Sequence, residues 1–242
     1  SYVSPDPLYL EFEYVQRIAQ VLDQAAPEGE RLRVVHVGGA GMTLARYVAA
    51  TRPTSAQIVL EPDAALTEEV RAAIPLPRNS GVKVRAQDGR TGLAAMPDDY
   101  ADVIIIDAFA GAQVPGELAT LECFRQAARV LVPGGTLAMN MTDSAPFAWS
   151  RRTLAGIAAV FGKAGVMAEP TTLKGRRFGN LVAAAGSRVD FARLERGCAL
   201  SVFPFRLLRG SALERWIGAA APFTDADTGP SPDPADLGVR LV

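Results

Sequence analysis

The sequence has few of the side chains that bind transition metals, with one histidine, His36, and two cysteines, Cys123 and Cys198. The cysteines lie far apart, whereas structural zinc sites use Cys and His at short, regular spacings. The scarcity of these residues argues against a zinc site, and we expect a function that needs no metal. Two isolated cysteines also fit the reducing environment of the cytoplasm.

The sequence also lacks a membrane-spanning run, a signal sequence and an excess of positive charge. No stretch reaches the about 18 apolar residues of a membrane span, and no basic segment followed by an apolar one opens the chain. Lys and Arg number 25 against 26 Asp and Glu, for a net charge of −1. Because few free cations remain to neutralise phosphates, we expect a cytoplasmic protein with neither a membrane nor a nucleic-acid partner.

Apolar runs of strand length alternate with amphipathic helical patterns through most of the chain. This alternation is typical of βαβ units around a mostly parallel sheet. We predict helices at 43–50, 64–73, 118–131 and 147–164. We predict seven strands, at 32–37, 56–61, 82–87, 101–107, 136–141, 166–173 and 180–185.

The last two predicted strands are joined by residues 174–179 alone. This connection is too short for a helical crossover, so the strands should pair as an antiparallel hairpin. A parallel sheet that ends in an antiparallel pair is typical of the class I AdoMet-dependent methyltransferase-like Rossmann fold, whereas dinucleotide dehydrogenases normally continue with parallel strands. The pattern therefore predicts an α/β protein of that fold.

The predicted sheet domain spans residues 29–190 and has additions at both ends. The N-terminal segment 1–28 contains an amphipathic helix at 8–22, which we expect to pack over an edge of the sheet. Two short helices make a C-terminal extension over 191–223. The tail 224–242 is rich in Pro, Asp and Gly, and we predict that it is disordered.

A glycine turn follows the first predicted strand, where open α/β sheets bind ligands. Its glycines, Gly38, Gly39 and Gly41, let the backbone approach a ligand closely. The turn departs from the dinucleotide-binding pattern, because Leu44 stands where that pattern has its third glycine. The turn indicates a ligand only in combination with the residues that follow.

Acidic residues end the next two predicted strands. Glu61 ends the second strand, where a carboxylate can accept hydrogen bonds from both hydroxyls of a ribose. Asp88 and Gly89 end the third, where a carboxylate can bind an adenine amino group. Both acids have the alternative role of capping the helix that follows. Together with the glycine turn, they favour an adenosine ligand.

Asp107 ends the fourth predicted strand at the same edge, where catalytic groups of such sheets gather. We therefore favour a site role over a cap, and we expect Asn140, at the end of the fifth strand, to lie beside it. The loop 108–116 contains glycine and proline and could close over a substrate. His36 points either into the sheet interior as a neutral group, the favoured alternative, or toward the cofactor.

The glycine turn, Glu61 and Asp88-Gly89 are followed along the chain by two further motifs. These are Asp102-Val103-Ile104-Ile105-Ile106-Asp107 and then Pro133-Gly134-Gly135. In this order they resemble the spermidine synthase family of aminopropyltransferases, over roughly residues 8–187. The chain is especially similar to short actinobacterial spermidine synthase-like proteins that lack the N-terminal β-hairpin domain. The segments that carry this similarity are Ser1-Tyr2-Val3, Phe12-Glu13-Tyr14 and Arg176-Arg177-Phe178-Gly179-Asn180.

The resemblance implies a role for each site residue. Glu61 would bind the ribose and Asp88 the adenine of decarboxylated AdoMet or AdoMet, within a cofactor site completed by Gly38, Gly39, Gly41 and Gly89. Asp107 would deprotonate or orient the attacking amine of a small acceptor, because an ammonium must lose its proton before its nitrogen can attack. Tyr14 and Asn140 would lie in the substrate site.

The chain departs from the family pattern mainly where the acceptor binds. The family's second loop aspartate, which holds a polyamine, is replaced by Ala110. Desolvating a dicationic diamine is costly without a carboxylate for each ammonium, so the acceptor stays open. The other replacements are Val15 and Asn140 for glutamines and Ala40 for the aspartate of the glycine turn.

Three functions remain open on these residues. The first is an aminopropyltransferase with Asp107 as base, which we favour because the cofactor-site acids are present. The second is an AdoMet-dependent methyltransferase acting on a small molecule, and the third is a non-catalytic nucleoside-binding or scaffold protein. An NAD-dependent oxidoreductase is a distant fourth, because of Leu44 and the predicted antiparallel hairpin. The sequence does not decide the oligomeric state, and a homodimer is retained as one option.

Overall fold

The computed structural model describes residues 3–39 and 41–236, which form one eight-stranded sheet with helices on both faces. None of the helices in this part of the chain is long and apolar enough to cross a membrane. A 3-10 turn covers Gly116–Leu118. The strands are Arg33–Val37 (β1), Ala56–Leu60 (β2), Val82–Arg85 (β3), Ala101–Ile106 (β4), Leu131–Asp143 (β5), Ala164–Ala168 (β6), Gly179–Ala185 (β7) and Arg206–Arg209 (β8). The helices are Glu13–Leu22 (α1), Thr43–Thr51 (α2), Ala64–Ala73 (α3), Gly89–Ala94 (α4), Leu121–Val130 (α5), Ala148–Phe161 (α6), Pro170–Leu173 (α7), Phe191–Ala199 (α8) and Ser211–Ile217 (α9).

The strand order is β3-β2-β1-β4-β5-β7-β6-β8. Strands β1 to β5 are parallel to one another, and β7 lies between β5 and β6, antiparallel to both. The central strands are buried on both faces, which explains their nearly continuous apolar sequences. This topology confirms the predicted class I methyltransferase-like fold with its antiparallel hairpin.

The register of the parallel strands brings their last residues level at one edge of the sheet. Val37 of β1 pairs with Leu60 of β2 and with Ile106 of β4. The residues that follow, Gly38, Glu61 and Asp107, therefore leave the sheet side by side. Ile106 also pairs with Met139 of β5, which brings Asn140 level with Asp107.

One predicted boundary near the hairpin is wrong, and one strand was not predicted. The strand predicted at 166–173 ends at Ala168, because Pro170 has no backbone N–H for the sheet and is well suited to start α7. The seven-strand prediction missed β8, a four-residue edge strand that pairs with β6. Arg206 and Arg209 stand at the two ends of β8, so only two apolar residues lie between them and the sequence shows no apolar run of strand length.

Helix α1 packs on a face of the sheet rather than over its edge, which corrects the prediction for residues 8–22. Its buried residues, including Ile18 and Leu22, join a core cluster with side chains from β1, β4, β5 and β7. The helix begins only at Glu13, and the Leu8 side chain is exposed. Amphipathic spacing identifies an apolar helix face, but it does not say which surface covers that face.

The C-terminal tail packs on the domain through Pro234, which corrects the prediction of disorder for that part of 224–242. Ser231 is fully buried. Its N–H donates to the Val114 carbonyl at 3.0 Å, and its hydroxyl accepts from the Val114 N–H at 2.9 Å. Composition suggested disorder because the tail has few apolar side chains, but backbone partners hold it in place. Residues 237–242 lie outside the described part.

Candidate functional site

A cavity of about 1030 Å³ opens at the carboxyl edge of the parallel strands. We call it the edge cavity. Helix α1, the glycine turn and the loops after β2 and β4 form much of its wall. The lining includes the predicted site residues Tyr14, Gly38, Gly39, Gly41, Glu61, Asp88, Gly89, Asp107 and Asn140. The structure therefore brings these residues together in one place.

Glu61 is held rigidly beneath the glycine turn. One carboxylate oxygen accepts from the Gly39 N–H at 2.9 Å and the other from the Asp63 N–H at 3.0 Å. The side chain is 9% exposed. Because a carboxylate offers about four acceptor positions, its oxygens can accept further hydrogen bonds from a ligand. Backbone donors thus orient the carboxylate toward the cavity.

The glycines of the turn are explained first by close packing. Gly38 has a φ of +86°, and a Cβ on it would lie 2.4 Å from the Asp107 carbonyl oxygen. A Cβ on Gly39 would lie 2.3 Å from the Val59 side chain. A larger residue at either position would push the turn away from β2 and β4. Ala40, where the family has an aspartate, lies outside the described residues.

Asp88 fills the capping role that the sequence left open, and it also lines the edge cavity. Its Oδ1 accepts from the Thr91 N–H at 2.8 Å at the start of α4. This hydrogen bond holds the pKa of Asp88 below its ordinary value. The carboxylate is therefore ionised and fixed at the cavity wall. Gly89 beside it is required by packing, since a Cβ there would meet the Val37 side chain.

Asp107 is one end of a hydrogen-bonded row of three side chains. The Asn140 amide donates to its Oδ1 at 2.9 Å, and the Asn180 amide donates to Asn140 Oδ1 at 3.0 Å. The second bond orients the Asn140 amide so that its NH₂ faces Asp107. Burial raises the pKa of Asp107 to about 6, and the Asn140 hydrogen bond opposes this rise. The carboxylate is thus ionised at neutral pH and can accept a proton.

Tyr14 lies in the first turn of α1 and lines the same cavity. Burial raises its pKa, and the negative charge of Asp107 raises it further. The phenol therefore keeps its proton and can donate a hydrogen bond. The Phe12 ring stacks beside it, with ring centroids 6.0 Å apart.

His36 adopts the interior position that the sequence favoured, although its side chain also touches the edge cavity. It is 4% exposed, and its Nε2 lies 2.9 Å from Gln57 Oε1. The Gln57 amide nitrogen donates to the carbonyls of Ala45 and Ser80. Gln57 Oε1 is therefore the acceptor, and His36 Nε2 carries the proton. Burial lowers the pKa of His36 to about 4 against the opposing effect of Gln57, so the ring is neutral.

The loop 108–116, which the sequence suggested could close over a substrate, is fixed at its far end. The Thr228 hydroxyl in the tail donates to the Gly116 carbonyl at 2.7 Å, and Gln113 Nε2 donates to the Ser231 carbonyl at 2.6 Å. The tail thus anchors this end of the loop. The other end, around Phe109, lines the cavity with the ring 38% exposed.

Several lining residues were missed from the sequence. They come from the β6–β7 connection and from the outer part of β5. The short connection was interpreted as a hairpin turn and as part of the family resemblance, but none of its residues was assigned to the site. The start of β7 reaches the cavity because β7 inserts between β5 and β6, which the strand order of the predicted fold could have indicated. The missed residues in this region are Thr142, Glu169, Arg177, Phe178, Gly179 and Asn180.

Asn140→Ala is expected to raise the pKa of Asp107. The Asn140 amide stabilises the ionised carboxylate, so its removal raises a pKa that already stands at about 6. We expect this pKa to move up by about half a unit to one unit. An NMR titration of the side-chain carboxyl groups between pH 4 and pH 9 measures it. Asn79→Ala, outside the cavity lining, is the control, and an unchanged or lowered pKa of Asp107 in Asn140→Ala would contradict the role of this hydrogen bond.

Comparison with known proteins identifies the family. No family model and no curated protein matches the chain. Among solved structures, a probable spermidine synthase from Corynebacterium glutamicum is 32% identical with a TM-score of 0.82, over 90% of this chain and 82% of that chain.

Two more distant structures share the fold alone. Human methyltransferase-like protein 13 in complex with SAH has a TM-score of 0.58 at 18% identity, over 88% of this chain and 93% of that chain. A spermidine synthase in complex with the transition-state analogue AdoDATO has a TM-score of 0.57 at 17% identity, over 88% and 74%. On the similarity to the Corynebacterium protein, the chain belongs to the spermidine synthase family of transferases.

Proposed function

We propose that the protein transfers an aminopropyl group from decarboxylated AdoMet to a small amine, with Asp107 as the base. The observation that carries this proposal is the position of Asp107, a half-buried carboxylate with a pKa of about 6, in the cavity that Glu61 and Asp88 also line. Membership in the spermidine synthase family supports it.

The cofactor half of the cavity fits a nucleoside. Glu61 is presented by backbone donors and would accept hydrogen bonds from both ribose hydroxyls. Asp88 is ionised at the next strand end and would accept from the adenine amino group. When bound, the donor supplies a carbon activated by an adjacent sulfonium, whose sulfur leaves as a neutral thioether. No metal and no covalent intermediate is needed for this chemistry.

The charge of the cavity favours the decarboxylated donor. Among the described lining residues Arg177 is the sole Lys or Arg, and it is paired with Glu169. A sulfonium and ammonium groups gain from such a field, whereas the extra carboxylate of AdoMet would be repelled. We therefore propose aminopropyl rather than methyl transfer. The acidic lining residues are Glu61, Asp63, Asp88, Asp107, Glu117 and Glu169.

Asp107 would act by binding the acceptor's ammonium and taking its proton. An alkyl ammonium has a pKa of about 10, so complete transfer to a carboxylate with a pKa of about 6 is unfavourable before the reaction starts. The proton would therefore pass to Asp107 first, in an unfavourable equilibrium that yields a small population of neutral amine. The lone pair of that amine would then form the new C–N bond as the C–S bond breaks and the sulfur leaves as a neutral thioether. Tyr14, which stays protonated, would donate a hydrogen bond within the same half of the cavity.

The test is product analysis with both possible donors. We expect methylthioadenosine and an aminopropylated amine from decarboxylated AdoMet and a panel of primary amines, detected by liquid chromatography and mass spectrometry. A parallel incubation with AdoMet is expected to yield no S-adenosylhomocysteine. Formation of S-adenosylhomocysteine alone would indicate a methyltransferase, and the absence of both products with every amine would contradict a catalytic function.

A further inference from the structure

The C-terminal tail reaches the edge cavity, although the proposed chemistry gives it no role. Pro234 is buried and lines the cavity together with Pro115 and Leu118. Three residues before it, Ser231 is fully buried against the loop 108–116. We call residues 228–234 the tail clamp. The other described lining residues lie at or before Asn180, so the clamp adds to the cavity wall from a remote part of the sequence.

Ser231 satisfies the backbone of the loop. Its N–H donates to the Val114 carbonyl at 3.0 Å, its hydroxyl accepts from the Val114 N–H at 2.9 Å, and its carbonyl accepts from Gln113 Nε2 at 2.6 Å. Val114 is fully buried and lies outside every helix and strand. Because a buried backbone group without a partner is costly, the position of the loop depends on Ser231.

The tail clamp is also fixed to the body of the protein. The Trp149 indole N–H of α6 donates to the Gly229 carbonyl at 2.8 Å. The backbones of Gly116 and Gly229 touch, since a Cβ on Gly116 would lie 2.5 Å from the Gly229 carbonyl carbon. The clamp therefore holds the end of the loop against α6, where no side chain fits between the two backbones.

The segment just before the clamp holds the start of α4, which presents Asp88 to the cavity. Asp225 forms an ion pair with Arg90, in the first turn of α4, at 2.6 Å. The Thr120 hydroxyl donates to the same carboxylate at 2.7 Å. The tail thus connects the start of α4 with the loop 108–116, and both of these line the edge cavity.

We propose that the tail clamp positions the loop 108–116 for nucleoside binding, with Ser231 as the positioning residue. This inference rests on the proposed function for the identity of the nucleoside. Ser231 does not line the cavity, so it acts through Val114 and Gln113. The apparent Kd of the nucleoside rises as the fraction of molecules with the loop in place falls. Linkage requires that the bound nucleoside stabilise the docked tail by the same factor.

The test measures nucleoside affinity in two buried-serine variants of the full chain. Ser231→Ala leaves the Val114 N–H without its acceptor and should raise the Kd of methylthioadenosine by about 5- to 50-fold in calorimetry. Ser150→Ala is the matched control, because Ser150 is equally buried and donates to Asp143 at 2.7 Å but lies outside the cavity lining. It should leave the Kd unchanged.

Turnover and hydrogen exchange distinguish positioning from a loss of stability. A saturating donor holds the loop in place by itself, so Ser231→Ala should raise the KM of decarboxylated AdoMet and change kcat by less than about twofold. In the wild type, saturating methylthioadenosine should slow the exchange of the Val114 and Ser231 amides by at least about tenfold.

A shortened chain removes the clamp altogether. A chain that ends at Asp227 lacks the clamp but keeps the pair between Asp225 and Arg90. It should bind methylthioadenosine about 10- to 100-fold more weakly. A chain that ends at Asp236 keeps the clamp and should bind like the full chain.

The outcomes separate this inference from the proposed function. An unchanged Kd in Ser231→Ala, or an equal loss of affinity in Ser150→Ala, would overturn the role of the clamp. Exchange of the Val114 and Ser231 amides that does not respond to the nucleoside would also overturn it. An affinity that depends on Ser231, in a protein that transfers no aminopropyl group, would support the clamp and contradict only the transferase activity. A wild type that binds no methylthioadenosine would overturn both.

Discussion

Asp107→Asn is expected to lower kcat/KM for aminopropyl transfer by about 10²- to 10⁴-fold, the usual contribution of a general base. The asparagine keeps the size of the side chain and a hydrogen bond to Asn140, but it neither attracts an ammonium nor accepts its proton. Affinity for methylthioadenosine should change by less than about twofold, because the nucleoside contacts lie at Glu61 and Asp88. Release of methylthioadenosine measures the first effect and calorimetry the second.

Asp102→Asn is the matched control for this experiment. Asp102 lies in the same strand as Asp107, but its carboxylate accepts from the Arg33 N–H at 2.7 Å and does not line the edge cavity. Its replacement should leave turnover nearly unchanged. Normal turnover in Asp107→Asn would mean that another group takes the proton. An equal loss of methylthioadenosine binding would place Asp107 in the nucleoside site instead.

The pH dependence of kcat/KM gives a second test of Asp107 as the base. Its pKa stands at about 6 because burial disfavours the charge. Below that pH the carboxyl is protonated and can no longer accept the amine's proton, so the wild-type kcat/KM should fall as pH decreases through about 6. The residual activity of Asp107→Asn should lack this limb. A limb that persists unchanged in the variant would belong to a different group.

The strand ends of the site could be predicted because a parallel sheet determines where they meet. Once β1, β2 and β4 are recognised as apolar runs, their next residues must leave the sheet at the same edge, whatever the exact boundaries. The strand register then brings these residues level with one another, because Val37 pairs with both Leu60 and Ile106. Gly38, Glu61 and Asp107 were therefore found from the sequence without any knowledge of the helices.

The cavity lining beyond Asn140 could not be found in that way. Glu169 and Asn180 lie together only because β7 runs antiparallel between β5 and β6. A hairpin prediction pairs the two strands but does not say which one lies next to β5. Pro170 also ended β6 early, which brought Glu169 to the sheet edge instead of the middle of a strand. These placements depend on tertiary contacts that local sequence patterns do not record.

Glu61→Ala is expected to raise the Kd of methylthioadenosine by about 10²- to 10³-fold. The variant loses a carboxylate that would accept two ribose hydroxyls, and hydrogen bonds to a charged group contribute about 1.5–3 kcal/mol each. It also leaves the N–H groups of Gly39 and Asp63 without their acceptor. Calorimetry measures the affinity, and Glu69→Ala, an exposed residue of the following helix, is the control.

A double-mutant cycle with the ligand separates ribose recognition from collapse of the glycine turn. The 2′,3′-dideoxy analogue of methylthioadenosine lacks the hydroxyls that Glu61 would accept. If Glu61 binds the ribose, removing the carboxylate and removing the hydroxyls should be strongly non-additive, because each change deletes the same interaction. The analogue should then bind the wild type and Glu61→Ala with similar, weak affinity. If Glu61→Ala weakens both ligands by the same factor, the carboxylate only holds the turn through Gly39 and Asp63, and its assignment as the ribose ligand is wrong.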